Sequence, residues 1–329
     1  MRSVLVSSRS FGNVSAAGGE ILRNAGYEVH RVRDEDRPLD AAKLASLVAD
    51  ECPDVLISGA EAVPKSVLGS SEGLRMVMKH GVGVDNIDLD AATSRGIVVA
   101  NAPGTNCTAV AELAISLMLS LLRHICPANA STRSGKWERF MGRELGALTV
   151  GIVGTGHIGS AVAERLHGFG TSLIGVDVVQ DDQLVSAYGM RYVSLHELLR
   201  TADLVTLHAP LIPETVGLIG DDELVLMKPS ALLVNCARGE LVDERALHAA
   251  LAAGRIAGAA VDVFATEPPQ DSPLLDFENV LATPHIAAYT HEAMEAMDRM
   301  CAETIVKVLI DRETPPNLLN PQVLRDDRT

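Results

Sequence analysis

The chain has 329 residues, 47% of them hydrophobic and 22% charged, with a formal net charge of −15. That length accommodates two domains, each with its own core, and the composition is that of an ordinary soluble globular protein. The acidic balance and the lack of any lysine- or arginine-rich run argue against a nucleic-acid surface, so an anion would be held by a few local cations.

From the N-terminus, short apolar runs alternate with helical patterns. Val4-Leu5-Val6 reads as a strand, Ile21 and Leu22 lie on a helix, and Tyr27-Glu28-Val29-His30 forms the next strand. A helix around Leu44 to Val48 precedes Val55-Leu56-Ile57, Met76-Val77-Met78 and Ile97-Val98-Val99. Strands alternating with helices predict a parallel sheet covered on both faces. A long helix then starts near Asn106 and carries Val110, Leu113, Ala114, Leu117 and Leu121 at helical spacing. Its apolar stretch, Leu113 to Leu122, is too short to span a membrane and reads as buried. After Trp137 and Phe140 come strands at Leu148–Val153, Leu173–Val176, Leu204–Leu207, Leu232–Val234, Gly258–Val261 and Val280–Ala282. One more helix is expected from about Glu292 to Leu309, and the end of the polar tail from Asp311 is expected to be loosely ordered.

The five cysteines (Cys52, Cys107, Cys126, Cys236, Cys301) are odd in number and contain no CxxC pair. This fits reduced thiols in a cytoplasmic protein better than a disulfide framework or a metal site, and no metal is expected. Met1 to Ser7 reads as a short strand, because its apolar stretch is too brief for a signal peptide.

The strongest local signal is Gly154-Thr155-Gly156-His157-Ile158-Gly159, which follows the strand ending at Val153 and opens a helix through Ala161, Val162, Ala163 and Leu166. In such a turn the first glycine permits the tight bend, the second admits a pyrophosphate, and the third lets helix pack on strand. The helix directs its positive N-terminal end at the phosphates. Asp177 ends the next strand, where a carboxylate accepts hydrogen bonds from ribose hydroxyls and repels a 2′-phosphate. Val176-Asp177-Val178-Val179 has no arginine beside it, so NAD is favoured over NADP. These signals predict an α/β protein of two doubly wound parallel-sheet domains, Rossmann- or flavodoxin-like. The NAD-binding domain (101–285) is expected to be inserted into a substrate domain (1–100 and 286–329), with substrate in a hinged cleft.

Three positions at predicted strand ends carry chemistry, where open α/β sheets bind ligands. Arg238, in Asn235-Cys236-Ala237-Arg238-Gly239, can grip a carboxylate with two prongs. Glu267 follows the strand that leads to Asp262-Val263-Phe264, and His285 follows Thr283-Pro284. Reduction of a 2-keto acid needs a proton donor for the carbonyl oxygen and a cation for the carboxylate; a histidine oriented by a carboxylate supplies the first. A lone histidine after proline is usually a turn residue and a lone arginine a surface ion-pair partner. Complementary residues on successive strand ends outweigh those readings.

The chain resembles the D-isomer-specific 2-hydroxyacid dehydrogenases, and within them the 3-phosphoglycerate dehydrogenase-like branch. The resemblance runs from about Val55 to Leu309 and includes Lys79 to Asp88, Asn101 to Asn106, Ala111-Glu112 and Gly135-Lys136-Trp137. It continues through Gly154 to Gly159, Asn235 to Gly239, Gly258 to Phe264, Glu267-Pro268 and Thr283-Pro284-His285. It implies that Arg238 binds substrate, His285 is the acid/base and Glu267 orients it. Cofactor contacts are implied for Gly154, Gly156, His157, Ile158, Gly159, Asp177, Ala209, Pro210, Cys236 and Ala237, with Asp262 meeting the nicotinamide carboxamide. The backbone of Gly81, Val82 and Gly83 is implied to receive the substrate carboxylate. Many of the 3-phosphoglycerate enzymes carry an arginine soon after the third strand, whereas here Ile57 is followed by Ser58-Gly59-Ala60-Glu61. The regulatory domain that longer relatives append is not expected in this chain. Lys79 reads either as a solvated surface lysine or as the holder of a second anionic group on the substrate.

The expected function is NAD-dependent interconversion of a D-2-hydroxy acid and its 2-keto acid, with 3-phosphoglycerate or another doubly anionic acid as a candidate. The alternatives are a non-catalytic NADH-sensing interaction protein and a dehydrogenase for a phosphonate- or sulfonate-bearing hydroxy acid. A homodimer is expected, with no nucleic-acid or membrane partner. The dimer is expected through the helix after Asn106 and the Trp137 segment, which read as too apolar for one small domain.

Overall fold

Both sheets are built from near-continuous apolar strands, the pattern of parallel strands buried on two faces. The computed structural model describes residues 2–326. The chain divides into two compact units, Met1–Asn106 with Tyr289–Thr329, and Cys107–Ala288.

The first unit opens with β1 (Arg2–Val6), α1 (Ala17–Asn24), β2 (Tyr27–Arg31), α2 (Ala41–Glu51), β3 (Val55–Ser58), α3 (Lys65–Leu68), β4 (Met76–Lys79), α4 (Leu89–Ser94) and β5 (Val98–Ala100). All pairings are parallel, in the order β2-β1-β3-β4-β5. Strand alternation sends Leu5, Leu56, Val77 and Val99 to a core shared with Leu44 and Val48 of α2, Val67 of α3 and Ala92 of α4. Asp40 and Asp88 start α2 and α4 by accepting hydrogen bonds from the amides of Lys43 and Ala91.

The second unit runs α5 (Cys107–Leu122), α6 (Ile125–Arg133), β6 (Thr149–Val153), α7 (His157–Gly168), β7 (Ser172–Val176), α8 (Asp182–Tyr188), β8 (Arg191–Tyr192), α9 (Leu195–Thr201), β9 (Leu204–Leu207), α10 (Asp221–Leu226), β10 (Leu232–Asn235), α11 (Glu244–Ala252), β11 (Gly258–Val261) and β12 (Val280–Ala282). Its parallel sheet has the order β12-β11-β10-β9-β6-β7-β8. Val150, Ile152, Leu204, Leu232 and Val234 meet α5 and α7 on one face, while Val153, Val205, Leu207 and Leu233 meet α9, α10 and α11 on the other. Val110, Ala114, Leu117, Met118 and Leu122 of α5 are buried in this core. The apolar helix is therefore largely used inside its own unit, and its composition does not by itself call for a partner. No single helix among the described residues is long and apolar enough to cross a membrane; α5 and α6 pass such a test only as a pair bent by 62°.

The chain returns to the first unit with α12 (His291–Leu309), capped by the Thr290 hydroxyl accepting from the amide of Ala293, and ends with α13 (Val323–Asp326). The segment between them is tied down. Asn320 Oδ1 accepts from the Val99 amide at 2.7 Å, and its Nδ2 donates to Ile97 O at 2.8 Å. The Leu319 amide donates to Val99 O, and Asn317 Nδ2 donates to Asn101 O. Four side-chain and backbone bonds to β5 and its flanks thus fix residues 317–320; the end of the tail, expected to be loosely ordered, falls at residues 327–329, outside the described residues.

Candidate active site

Three adjacent strands, β10, β11 and β12, deliver the polar residues of the site to one edge of the seven-stranded sheet. Asn235, 1% exposed at the end of β10, shapes the loop that carries Arg238. Its Nδ2 donates to Arg238 O at 2.7 Å and its Oδ1 accepts from the Ala237 amide at 3.0 Å. Gly239 lets this loop press on the one after β11: a Cβ there would stand 2.0 Å from Phe264 C. Arg238 is half-buried, and its Nη1 donates to Ala237 O at 2.8 Å.

Glu267 and His285 form a dyad. His285 Nδ1 lies 2.8 Å from Glu267 Oε2, and Glu267 Oε1 accepts from the Phe264 amide at 3.1 Å. Burial alone would raise the Glu267 carboxyl, but the hydrogen bond and charge of His285, the Phe264 amide and the charge of Arg238 together hold it below its ordinary value. It therefore stays anionic throughout the neutral range. With Nδ1 spent on the carboxylate, Nε2 is the ring nitrogen left for a reacting oxygen, and the histidine side chain is 45% exposed.

His285 has φ 53, a left-handed conformation that costs a residue with a Cβ on the order of 1 kcal/mol. Asp262 fixes that turn. It is fully buried, and its Oδ1 accepts from the Thr283 hydroxyl at 2.6 Å and the Ile286 amide at 2.9 Å. Its Oδ2 accepts from the Ala287 amide at 2.8 Å, and its carbonyl accepts from the His285 amide at 2.8 Å. Asp262 thus holds the Thr283 side chain ahead of His285 and the backbone amides from His285 to Ala287. Sequence reasoning missed that task and the parts of Asn235 and Thr283 in it, because nothing in their spacing reveals which amides a strand-end side chain will meet.

The glycine turn on β6 has the shape a dinucleotide requires. Gly154 has φ 88, and a Cβ on it would stand 2.5 Å from Ala209 N; one on Gly159 would stand 2.0 Å from Gly154 O. A Cβ on Gly156 would meet nothing within 4 Å, so the open space lies where a pyrophosphate must come close to backbone. Gly156 starts α7 with no side-chain cap, and His157 and Ile158 continue its first turn. The first amides of α7 are thus left for an anion. Asp177 Oδ2 accepts from the Thr155 amide at 2.6 Å and Thr155 Oγ1 at 3.2 Å, tying β7 to the turn. Burial alone would raise its carboxyl, yet the amides of Thr155 and Val179 and the Thr155 hydroxyl hold it below its ordinary value. Ala209 and Pro210 follow β9 beside His208, which burial keeps neutral by lowering it to about 4. Cys236 is buried and Ala237 half-buried after β10. Burial, then the Asp262 charge, pushes the Cys236 thiol up, so it is no thiolate nucleophile. The residues present fit a dinucleotide.

Lys79 and the Gly81-Val82-Gly83 turn lie in the first unit, at the end of β4. Lys79 is only 7% exposed, so it is not a solvated surface lysine. Its ammonium donates to Gly59 O at 2.5 Å and Asn86 Oδ1 at 2.7 Å, which pins the loops after β3 and β4. No cluster of three or more potential metal-binding side chains occurs among the described residues.

Comparison with known proteins places the chain in a family. The family model described as D-isomer specific 2-hydroxyacid dehydrogenase, NAD binding domain, matches residues 115–287. A D-3-phosphoglycerate dehydrogenase of Methanocaldococcus jannaschii is 46% identical over 261 residues, covering 78% of this chain and 50% of the relative. The chain spans about half the length of this and other phosphoglycerate dehydrogenases it matches. A glyoxylate reductase of Thermococcus litoralis is 39% identical over 307 residues, with 91% of this chain and 92% of the relative covered. The crystal structure of a D-lactate dehydrogenase from Aquifex aeolicus, complexed with NAD and lactic acid, superposes with a TM-score of 0.85 at 25% identity, covering 97% of this chain and 99% of that one. The chain belongs to the D-isomer specific 2-hydroxyacid dehydrogenase family.

Proposed function

We propose that the protein is an NAD-dependent oxidoreductase that interconverts a D-2-hydroxy acid and its 2-keto acid. The observation that carries this reading is the His285–Glu267 dyad, with Arg238 on the neighbouring strand end of the unit that bears the glycine turn. The cofactor would be held by Gly154 to Gly159, Asp177, Ala209, Pro210, Cys236 and Ala237, and supplies or accepts the hydride when bound.

In the reductive direction, the His285 imidazolium gives the Nε2 proton to the carbonyl oxygen as that oxygen gains charge. Glu267 keeps the ring oriented through Nδ1 and stabilises its protonated form. Arg238 offers its guanidinium to the carboxylate and polarises the adjacent carbonyl. The backbone of Gly81, Val82 and Gly83 is the proposed seat of that carboxylate, and Asp262 holds the His285 turn. NADH oxidation followed against pyruvate, glyoxylate, hydroxypyruvate and 3-phosphohydroxypyruvate tests the reading. Turnover of at least one is expected, and none with any of them would refute it.

Glu267→Gln separates charge from orientation, since the amide oxygen can still accept from Nδ1–H. Without the anion the imidazolium is less favoured, so the alkaline limb of keto-acid reduction should move to lower pH. An unchanged pH profile would remove Glu267 from the acid/base machinery. The paired carboxylate also contributes folding stability above the ordinary carboxylate range, and that part is lost as pH falls through its lowered folded value.

We also propose a homodimer formed through residues 136–143. Trp137 is 81% exposed and Met141 93% exposed, a costly display of apolar surface on a chain alone. Sedimentation at micromolar concentration should give twice the 34.8 kDa chain mass, and Trp137→Glu should shift it toward one chain. A wild-type chain sedimenting at 34.8 kDa would reject the dimer.

A further inference from the structure

Between β7, which ends at Val176, and α8, which starts at Asp182, runs the short connection Asp177-Val178-Val179-Gln180-Asp181. Val178, Val179 and Gln180 are exposed, so no apolar packing at the centre of the connection holds it in place. It is held at its two ends, and both ends lead to one side chain, Tyr192 of β8. The Asp181 amide donates to Tyr192 Oη at 3.0 Å. Tyr192 Oη lies 2.9 Å from Thr155 Oγ1, which in turn donates to Asp177 Oδ2 at 3.2 Å.

The direction of each bond follows from the protons available. A carboxylate only accepts, so the Thr155 hydroxyl hydrogen is spent on Asp177. Thr155 Oγ1 then has only lone pairs left, and the Tyr192 hydroxyl donates to it while accepting from the Asp181 amide. The result is a one-way chain from the Asp181 amide through Tyr192 and Thr155 to the Asp177 carboxylate. Donors aligned in series toward an anion strengthen one another. The Thr155 amide adds a bond to Asp177 Oδ2 at 2.6 Å, and the Val179 amide adds one to Oδ1 at 3.2 Å.

The sequence makes room for this chain at Gly175. That residue pairs with Tyr192 across β7 and β8, and a Cβ on it would stand 3.3 Å from both Thr155 Cγ2 and Tyr192 Cε1. The Val193 amide donates to Gly175 O at 3.0 Å, which fixes the register that brings Tyr192 to Thr155. Thr155 is buried, so the middle of the chain is shielded from competing water. At the far end Asp181 Oδ1 accepts from the Gln183 amide and starts α8, which anchors the donor of the first bond.

We propose that Tyr192 is a specificity-determining residue of the cofactor site, whose hydroxyl holds the Asp177 carboxylate rigid and so enforces NAD over a nucleotide bearing a 2′-phosphate. A carboxylate on a loose connection turns aside from a phosphate, whereas one held in place leaves the like-charge repulsion in full, and rejection of the wrong ligand depends on such fixed repulsion. Tyr192 acts through Thr155 and Asp177 and is a positioning residue. The inference rests on the NAD reading of Asp177 and adds the group that makes that carboxylate selective.

The test is direct binding, read by fluorescence titration of the full chain with NADH and with NADPH, beside a thermal melt that reports the fold. Tyr192→Phe keeps the ring and removes only the hydroxyl. Its NADH Kd should rise about 5- to 10-fold, the loss of one or two neutral hydrogen bonds, while its NADPH Kd stays within about twofold. The ratio of the two should narrow accordingly. Thr155→Val cuts the chain at its middle, leaves the Thr155 amide on Asp177, and should narrow the ratio in the same way. In an Asp177→Ala background Tyr192→Phe should leave the ratio unchanged, because the group it positions is gone. Equal weakening of both nucleotides by Tyr192→Phe, or a narrowing that persists without Asp177, would make Tyr192 a packing residue and overturn the inference. The NAD reading survives that result if Asp177→Ala alone still narrows the ratio. Equal Kd for NADH and NADPH in the unaltered protein would overturn both.

Discussion

Replacing His285 with alanine should lower the turnover of keto-acid reduction by roughly 10²–10⁴-fold, the range set by losing a positioned proton donor. NADH affinity should barely change, because His285 and the glycine turn sit on different strand ends and share no hydrogen bond in the structure. The fold should survive as well. The His285 turn is held by Asp262 through the Thr283 hydroxyl and the Ile286 and Ala287 amides, none of which needs the imidazole. Alanine still carries a Cβ at φ 53, so the variant keeps the local strain and loses only the ring. Stopped-flow turnover beside fluorescence titration of NADH reads the two effects separately. A fall in NADH affinity as large as the fall in turnover would place His285 in cofactor binding instead of proton transfer.

Asp177 should make NADH the better cofactor by on the order of 10²-fold in kcat/KM, equivalent to about 2.7 kcal/mol. Its carboxyl is held below the usual range, so it is anionic at neutral pH and repels a 2′-phosphate. The two residues that follow, Val178 and Val179, are 99% and 73% exposed and offer no cation to offset that repulsion. Asp177→Ala should narrow the preference, but the Thr155 amide loses its acceptor in that variant. Both cofactors should therefore weaken, and the ratio of the two efficiencies is the informative quantity. Equal efficiency of NADH and NADPH in the unaltered protein would refute the assignment.

Much of this architecture was legible because it is written in periodic or short-range signals. Apolar runs such as Val55-Leu56-Ile57 and Leu232-Leu233-Val234 mark strands buried on both faces, and the three glycines from Gly154 to Gly159 specify one turn, since each meets backbone or open space. Arg238, Glu267 and His285 could be placed because each follows a recognisable strand. The two-residue strand β8, formed by Arg191 and Tyr192, has no such signature and exists because β7 offers it an edge. Lys79 was ambiguous for a related reason: its burial depends on Gly59 O and Asn86 Oδ1, acceptors supplied by other loops. In the polar tail after α12, Asn317 and Asn320 bond to groups at Asn101, Ile97 and Val99, pairings that composition does not reveal. The apolar α5 suggested a partner surface, and most of it is used by α7, β10 and β11 within the same unit. In each case the deciding contact comes from another element or loop, about which local pattern carries no information.

The proposed reaction is proton and hydride transfer to a 2-keto acid, giving the D isomer. It is tested most directly by incubating the protein with NADH and pyruvate and resolving the product on a chiral column. D-lactate is expected, formed in one-to-one ratio with the NADH consumed. L-lactate as the product, or NADH bound but never consumed with pyruvate or with any of the other keto acids, would contradict it.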